Sequence, residues 1–263
     1  MSRRVLVIGI GMGDPASLTL KAVAAINRAD IFFLLDKGEA SAELIHLREA
    51  ILETHRAAPW RTATVPSPPR GQEGRETPGG YRAGVQAWHA GRAERLARAI
   101  AAELPEGGTG ALLVWGDPML YDSTLRVLER AAGMGVPFDI EVVPGISAIQ
   151  ALCAAHRIPL NGIGEKVEVT TGRLVAQATP DAPAFVALLD DGSGLAALMA
   201  RGFDGQLWWG AYLGTPDEML VAGRLTEVGE EILRLRAEAR ARKGWVMDVW
   251  LARGAGAAGG RTP

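Results

Sequence analysis

The sequence predicts an α/β protein of two domains, an N-terminal one on a parallel sheet and a C-terminal one on a mixed sheet. Three observations carry this reading. Apolar runs of strand length stop in Gly/Pro/Asp turns and alternate with helical patterns over 1–145. Beyond Pro159 the pattern becomes mixed, with alternating stretches such as Val167–Thr171 beside continuous ones such as Ala184–Leu189. The chain has 263 residues, 48% of them hydrophobic and 22% charged, which is globular composition of sufficient length.

In chain order, Arg4–Ile10 reads as a buried strand, ended by the glycine-rich Gly9-Ile-Gly-Met-Gly-Asp-Pro15. A helix follows from about Thr19, with Leu20, Val23 and Ala24 on one face. Ile31–Leu35 is a second strand, ending in Asp36-Lys37-Gly38, and Ser41 opens a helix to about His55. The stretch 66–80, dense in Pro, Gly and charge, reads as a surface insertion or a lid. A long helix covers about Tyr81–Glu103, with Trp88 and Leu96 inward and Arg92, Arg95 and Arg98 on a solvated face. The apolar run through Leu112-Leu-Val-Trp115 stops at Gly116-Asp117-Pro118, and Asp122 or Ser123 caps the next helix. In open α/β sheets ligands collect at such carboxyl ends, where a glycine admits a ligand to the backbone and an aspartate offers it an acceptor.

Phe138–Val143 is another strand, followed by Pro144-Gly145-Ile-Ser147 and a helix to His156. In the second part, continuous apolar stretches at Ala184–Leu189 and Gln206–Leu213, with helices near Gly194–Arg201 and Glu227–Arg240, imply a mixed sheet with helices on one side. The boundary falls at about residue 146, giving domains 1–145 and 146–253 and a disordered tail over 254–263.

Composition excludes several classes. The formal net charge of −2 argues against a general nucleic-acid partner. The single cysteine, Cys153, makes no internal disulfide and reads as a buried thiol, and no Cys/His spacing suggests a metal. The apolar start is too short for a signal peptide or a membrane span, so a cytoplasmic protein is expected. The first loop spells G-x-G-x-G-D rather than G-x-G-x-x-G, with Pro15 where the helix should begin. That counts against an NAD(P)-dependent oxidoreductase, which stays open as an alternative beside a nucleotide-binding module without chemistry.

Four segments then occur in order: Gly9-Ile-Gly-Met-Gly-Asp-Pro…Leu18-Thr19, Gly116-Asp-Pro…Tyr121, Val142-Val-Pro-Gly-Ile-Ser147 and Gly214-Thr-Pro216. Together they resemble the tetrapyrrole (precorrin) methyltransferases, over Val5 to about Ala252. Met12 stands where that family more often has proline. The stretches Phe32-Phe-Leu-Leu-Asp-Lys-Gly38, Leu47-Arg-Glu49 and Trp209-Gly-Ala-Tyr-Leu-Gly-Thr-Pro-Asp-Glu218 are similar to one subfamily. Its members methylate precorrin-5 at C-1 and release the C-20 acetyl group as acetate.

The resemblance implies two α/β domains with S-adenosylmethionine in the cleft between them, a tetrapyrrole substrate and a homodimer. It implies that Gly116, Asp117, Met119 and Tyr121 line the methionine and ribose end of the cofactor, with Ser147 and Ala148 beside them. Leu189, Gly210, Ala211 and Leu225 are implied to reach the adenine, mostly through backbone. Methyl transfer to a ring carbon requires positioning and exclusion of water but no metal. Acyl loss requires water and a base, for which Asp14, Asp36, Asp122 and Asp190 are candidates at strand ends. The substrate's carboxylate arms call for paired donors, and Lys37, Arg48, Arg70 and Arg224 are the candidates. Alternatives within the family act on another precorrin, on diphthamide or on rRNA.

Overall fold

The computed structural model describes residues 2–36, 42–68 and 80–254. Two compact units divide the chain, Met1–Ser147 and Ala148–Pro263. The expected tail after Gly254 lies outside the described residues.

The N-terminal unit runs β1 (Arg3–Gly9), α1 (Leu20–Arg28), β2 (Ile31–Asp36), α2 (Ala42–His55), β3 (Arg61–Pro66), α3 (Gly80–Glu103), β4 (Thr109–Val114), α4 (Thr124–Ala132) and β5 (Phe138–Val143). All neighbouring strands are parallel, in the order β3-β2-β4-β1-β5. From β1 the chain steps towards β3, and from β3 it returns past its start to β5. Right-handed crossovers place the helices of these two directions on opposite faces. The cores agree. Ala22, Ala25 and Ile26 of α1 join Ile51 and Leu52 of α2 over Leu6, Ile8 and Phe32. Ala93, Leu96 and Ile100 of α3 join Val127 and Leu128 of α4 over Val5, Val7 and Val114. The direction reverses between β1 and β4, which are adjacent, so the crevice expected of such a reversal opens at their carboxyl ends.

The strand β3 was not expected from sequence. It is a parallel edge strand with mostly exposed side chains, and its terminal Pro66 is tolerated there because an edge leaves ladder donors unused.

The C-terminal unit runs α5 (Ala148–His156), β6 (Val167–Thr171), α6 (Gly172–Gln177), β7 (Ala184–Leu188), α7 (Ser193–Ala200), β8 (Gly205–Ala211), β9 (Met219–Arg224), α8 (Leu225–Lys243) and β10 (Asp248–Gly254). Its sheet is mixed, in the order β6-β7-β10-β8-β9, with β6 and β7 parallel and the other pairs antiparallel. Val175 of α6, Leu195 and Leu198 of α7 and Ile232 of α8 pack on Phe185, Trp209 and Trp250. The expectation of helices on one side needs correction. A side chain at Gly210, which alternates away from Trp209, would meet Leu152 of α5 at 2.9 Å. So α5 covers the other face.

Candidate functional site

At the carboxyl ends of β1 and β4 the parallel ladder stops, and beyond it a single isolated bridge of antiparallel type joins Gly11 to Gly116. Gly116 N donates to Gly11 O at 2.7 Å, and Gly11 N donates to Gly116 O at 3.3 Å. Both glycines have positive φ, 67° for Gly11 and 62° for Gly116, which lets the two chains turn away from each other just past the pair. The loop after β5 closes on the same spot. A Cβ on Gly9 would lie 2.6 Å from Gly145 N and 2.8 Å from Gly116 O, and one on Gly145 would strike Gly116 O. Three loops therefore meet backbone to backbone, and glycine at 9 and 145 is a packing requirement.

Asp117 ties this junction. Its Oδ1 accepts from Met119 N at 2.8 Å and its Oδ2 from Gly145 N at 3.0 Å. From sequence this aspartate is expected to offer an acceptor to a ligand; in the structure each of its oxygens already accepts from one protein amide. Beyond it, Met119 is 80% exposed and Tyr121 43% exposed, although both are large and apolar. Tyr121 has φ of 52°, a sparsely populated conformation for a bulky residue and one that collects at functional sites. Ser147 is buried just before α5, and Ala148 is the first residue of that helix.

The first loop does not present a helix terminus. Asp14 accepts from Ala16 N at 2.9 Å and from Ser17 Oγ at 2.7 Å, which caps a 3-10 turn over Pro15–Ser17. Thr19 caps α1 by accepting from Ala22 N at 3.0 Å. Dinucleotide binding places the pyrophosphate on the helix that starts inside the glycine loop, and here that helix starts later.

Asp122 accepts from Thr124 N at 2.6 Å, whereas Ser123 makes no side-chain cap. Two arginines bring charge to it. Arg48 of α2 donates to Leu113 O at 3.0 Å and Leu44 O at 2.8 Å, with its guanidinium 5.1 Å from the Trp115 ring centre. Burial pulls its pKa down to about 10, opposed by the charge of Asp122. Arg92 of α3 was expected on a solvated face and is instead only 6% exposed. It lies over Trp88 at 4.5 Å and donates to Ser123 Oγ at 3.3 Å. Burial lowers its pKa, again opposed by Asp122. The helical wheel placed Arg92 beside Arg95 and Arg98, but α4 packs on that side of α3.

In the C-terminal unit, Leu189 follows β7 with φ of 52° and 68% exposure, so an apolar side chain is held out to solvent on a strained backbone. Its neighbour Asp190 is buried and accepts from Gly192 N, Gly194 N and Leu195 N at 2.9–3.1 Å. It also accepts from Trp250 Nε1 at 3.0 Å. That set is a capping and core-pinning role, which corrects its candidacy as a base. The side chains of Ala211 and Leu225 are in the core, so only their backbone can meet a ligand, and the same holds for Gly210. Tyr212, with φ of 52°, is a further strained residue that the sequence did not single out. Arg224 pairs with Asp204 at the surface.

Asp36 ends β2, and its carbonyl accepts from Ser67 N at 2.6 Å. Lys37, Arg70 and most of the 66–80 stretch lie outside the described residues. Among the described residues no group of three or more His, Cys, Asp or Glu is arranged to hold a metal ion.

Comparison with known proteins points one way. The family model of the tetrapyrrole (corrin/porphyrin) methylases matches residues 4–229. A precorrin-6A synthase (deacetylating) from Sinorhizobium sp is 44% identical over 253 residues, 95% of each chain. A precorrin-2 C(20)-methyltransferase from Sinorhizobium sp is 31% identical over 60% of this chain and 59% of that one. The crystal structure of a cobalamin synthesis related protein (CobF) from Corynebacterium diphtheriae superposes with a TM-score of 0.79 and 36% identity, covering 97% of this chain and 99% of that one. A uroporphyrin-III C-methyltransferase from Thermus thermophilus, solved with S-adenosylhomocysteine, shares the fold at a TM-score of 0.59 and 23% identity, covering 95% of this chain and 92% of that one.

Proposed function

Because the chain belongs to the tetrapyrrole (corrin/porphyrin) methylases, we propose that it is an S-adenosylmethionine-dependent C-methyltransferase of cobalamin biosynthesis. It methylates precorrin-5 at C-1 and releases the C-20 acetyl group as acetate, giving precorrin-6A. The observation that carries this substrate is 44% identity to the precorrin-6A synthase over 95% of both chains. Another precorrin is the less supported reading, since the precorrin-2 relative matches at 31% over 60% of this chain. Diphthamide, rRNA and nicotinamide readings are not favoured. The named relatives point to tetrapyrroles, and the first loop runs into a 3-10 turn instead of a helix N-terminus.

The loop edge of the N-terminal unit suits such a ligand. It carries the exposed apolar side chains of Met119 and Tyr121 just past the buried Gly11–Gly116 backbone pair, whose glycines leave no side chain in the way. When bound, S-adenosylmethionine supplies a methyl group activated by its sulfonium. The proposed contacts are Gly116, Met119, Tyr121, Ser147 and Ala148, with Asp117 holding the loop in shape. On the C-terminal unit they are the exposed Leu189 and the backbone of Gly210, Ala211 and Leu225. These residues orient the ligand and exclude water, and the ring carbon of the substrate is the nucleophile. In the acyl step water attacks the acetyl carbonyl, and the bond to C-20 breaks with its electrons left on the ring. Asp36, which ends β2 at the carboxyl edge of the sheet, is assigned to orient that water. Asp14, Asp122 and Asp190 hold backbone amides at the ends of helical turns. Lys37 and Arg48 are assigned to substrate carboxylates. The same reading, carried by the family resemblance, includes a homodimer and a cytoplasmic location. Among the described residues no helix is long and apolar enough to cross a membrane.

The test is mass analysis of the product from precorrin-5 and S-adenosylmethionine. A product that has gained one methyl and lost one acetyl, with one acetate released per turnover, is expected. Methylation without acetate would move the chain to another precorrin step.

A further inference from the structure

Arg48 and Arg92 come from helices on opposite faces of the N-terminal sheet, α2 and α3, yet both feel the charge of the single carboxylate of Asp122. Their contacts place both at the loops past the carboxyl end of β4. Arg48 bonds to Leu113 O at the end of β4 and stacks on Trp115, and Arg92 bonds to Ser123 Oγ just after the Tyr121 loop. Among the described residues Asp122 is the one carboxylate whose charge reaches both arginines, so there two buried cations are matched by one anion. Asp122 is itself partly engaged by Thr124 N. Two donors are also unused. Among the described residues, Arg92 Nε and Trp115 Nε1 are buried and find no acceptor. Buried N–H groups are almost always paired, so unmade ones beside uncompensated positive charge point to an anionic acceptor that arrives from outside.

We propose that Arg48, Arg92 and the indole N–H of Trp115 form a subsite for one carboxylate arm of the substrate, with the carbonyls of Leu44 and Leu113 holding the first guanidinium and Ser123 Oγ the second. The subsite rests on the tetrapyrrole reading above. Arg92 supplies a direct contact, and its planar fork suits the two oxygens of a carboxylate. The cofactor also carries a carboxylate at its methionine end, so the experiment must separate the two sources.

Arg92→Gln roughly keeps the size and removes the charge, Arg92→Lys keeps the charge and removes the fork, and Trp115→Phe removes the indole donor while keeping an aromatic ring against Arg48. Each variant is assayed for KM with precorrin-5, for kcat and for S-adenosylhomocysteine affinity by calorimetry. The expected result for Arg92→Gln is a KM raised on the order of tenfold or more, with kcat and S-adenosylhomocysteine affinity within about twofold of wild type. Arg92→Lys should fall between, and Trp115→Phe should raise KM several-fold. Wild-type KM in Arg92→Lys and Trp115→Phe overturns the subsite, even if Arg92→Gln fails to fold. Weaker S-adenosylhomocysteine binding with unchanged KM overturns it in favour of the cofactor's carboxylate. A lower melting temperature with unchanged KM overturns it in favour of a structural ion cluster. If wild-type protein binds no S-adenosylhomocysteine, the methyltransferase reading itself fails, which is a different outcome from any of these.

Discussion

The carboxylate of Asp117 accepts a hydrogen bond from Gly145 N at 3.0 Å and so fastens the loop after β4 to the loop after β5. Its other oxygen takes Met119 N at 2.8 Å, so this residue acts by shaping the loop that carries Met119 and Tyr121. Asp117→Asn keeps the size but turns one acceptor into a donor that faces an N–H. The Gly145 amide is part-buried, so leaving it unpaired costs about 1 kcal/mol, the low end for an unmade hydrogen bond. The expected outcome is a lower melting temperature, and S-adenosylhomocysteine affinity reduced on the order of tenfold by calorimetry.

Gly145→Ala should be more damaging than an alanine at a surface glycine. The new Cβ would lie 2.8 Å from Gly9 Cα and press on Gly116 O, so backbone must move. Overpacking of this kind costs about 1–3 kcal/mol. Thermal unfolding should show it, whereas Gly84→Ala, whose Cβ would meet nothing within 4 Å, should leave stability unchanged or raised. Gly116→Val adds a β-branched side chain at φ of 62° and should abolish S-adenosylhomocysteine binding. Wild-type affinity in a folded Gly116→Val protein would place the cofactor elsewhere.

Two aspartates proposed from sequence for the acyl step should separate cleanly. Asp190→Asn loses acceptor strength towards three amides and the Trp250 indole, so we expect destabilisation of ~2–4 kcal/mol in denaturant titration. Asp36→Asn should leave stability and S-adenosylhomocysteine affinity near wild type while acetate release falls relative to methyl transfer. Equal acetate and methyl yields in Asp36→Asn would remove it from the acyl step.

The lone thiol should be sluggish. Cys153 is half-buried rather than fully enclosed, and burial raises its pKa above the ordinary thiol value, with Arg253 opposing. A raised thiol pKa means less thiolate at neutral pH, so alkylation by iodoacetamide near pH 7 should run slower than for a small free thiol. The rate should keep climbing as pH rises past 9.0, where an ordinary thiol is already half ionised. Turnover should survive both alkylation and EDTA; loss of activity with EDTA, restored by a divalent ion, would reveal a metal role.

The periodic elements and most of the loops between them were legible in the amino-acid pattern alone. Buried parallel strands read as continuous apolar runs, so Val5–Ile8 and Leu112–Val114 were legible, and the glycine and proline punctuation placed the ends of the chain's central strands. The edge strands β3 and β9 were not legible, because a half-exposed edge needs no apolar run and is defined by the neighbour it pairs with. Side-chain roles depended on tertiary contacts even more. Asp14, Asp117 and Asp190 looked alike as aspartates in turns, and only the positions of Ala16, Gly145 and Gly194 amides made each a loop fastener. Arg92 fell on the polar arc of its helix, where nothing local distinguishes it from Arg98. It became a buried cation because α4 packs beside α3, and which face of a helix meets water is decided by its neighbours rather than by its own sequence.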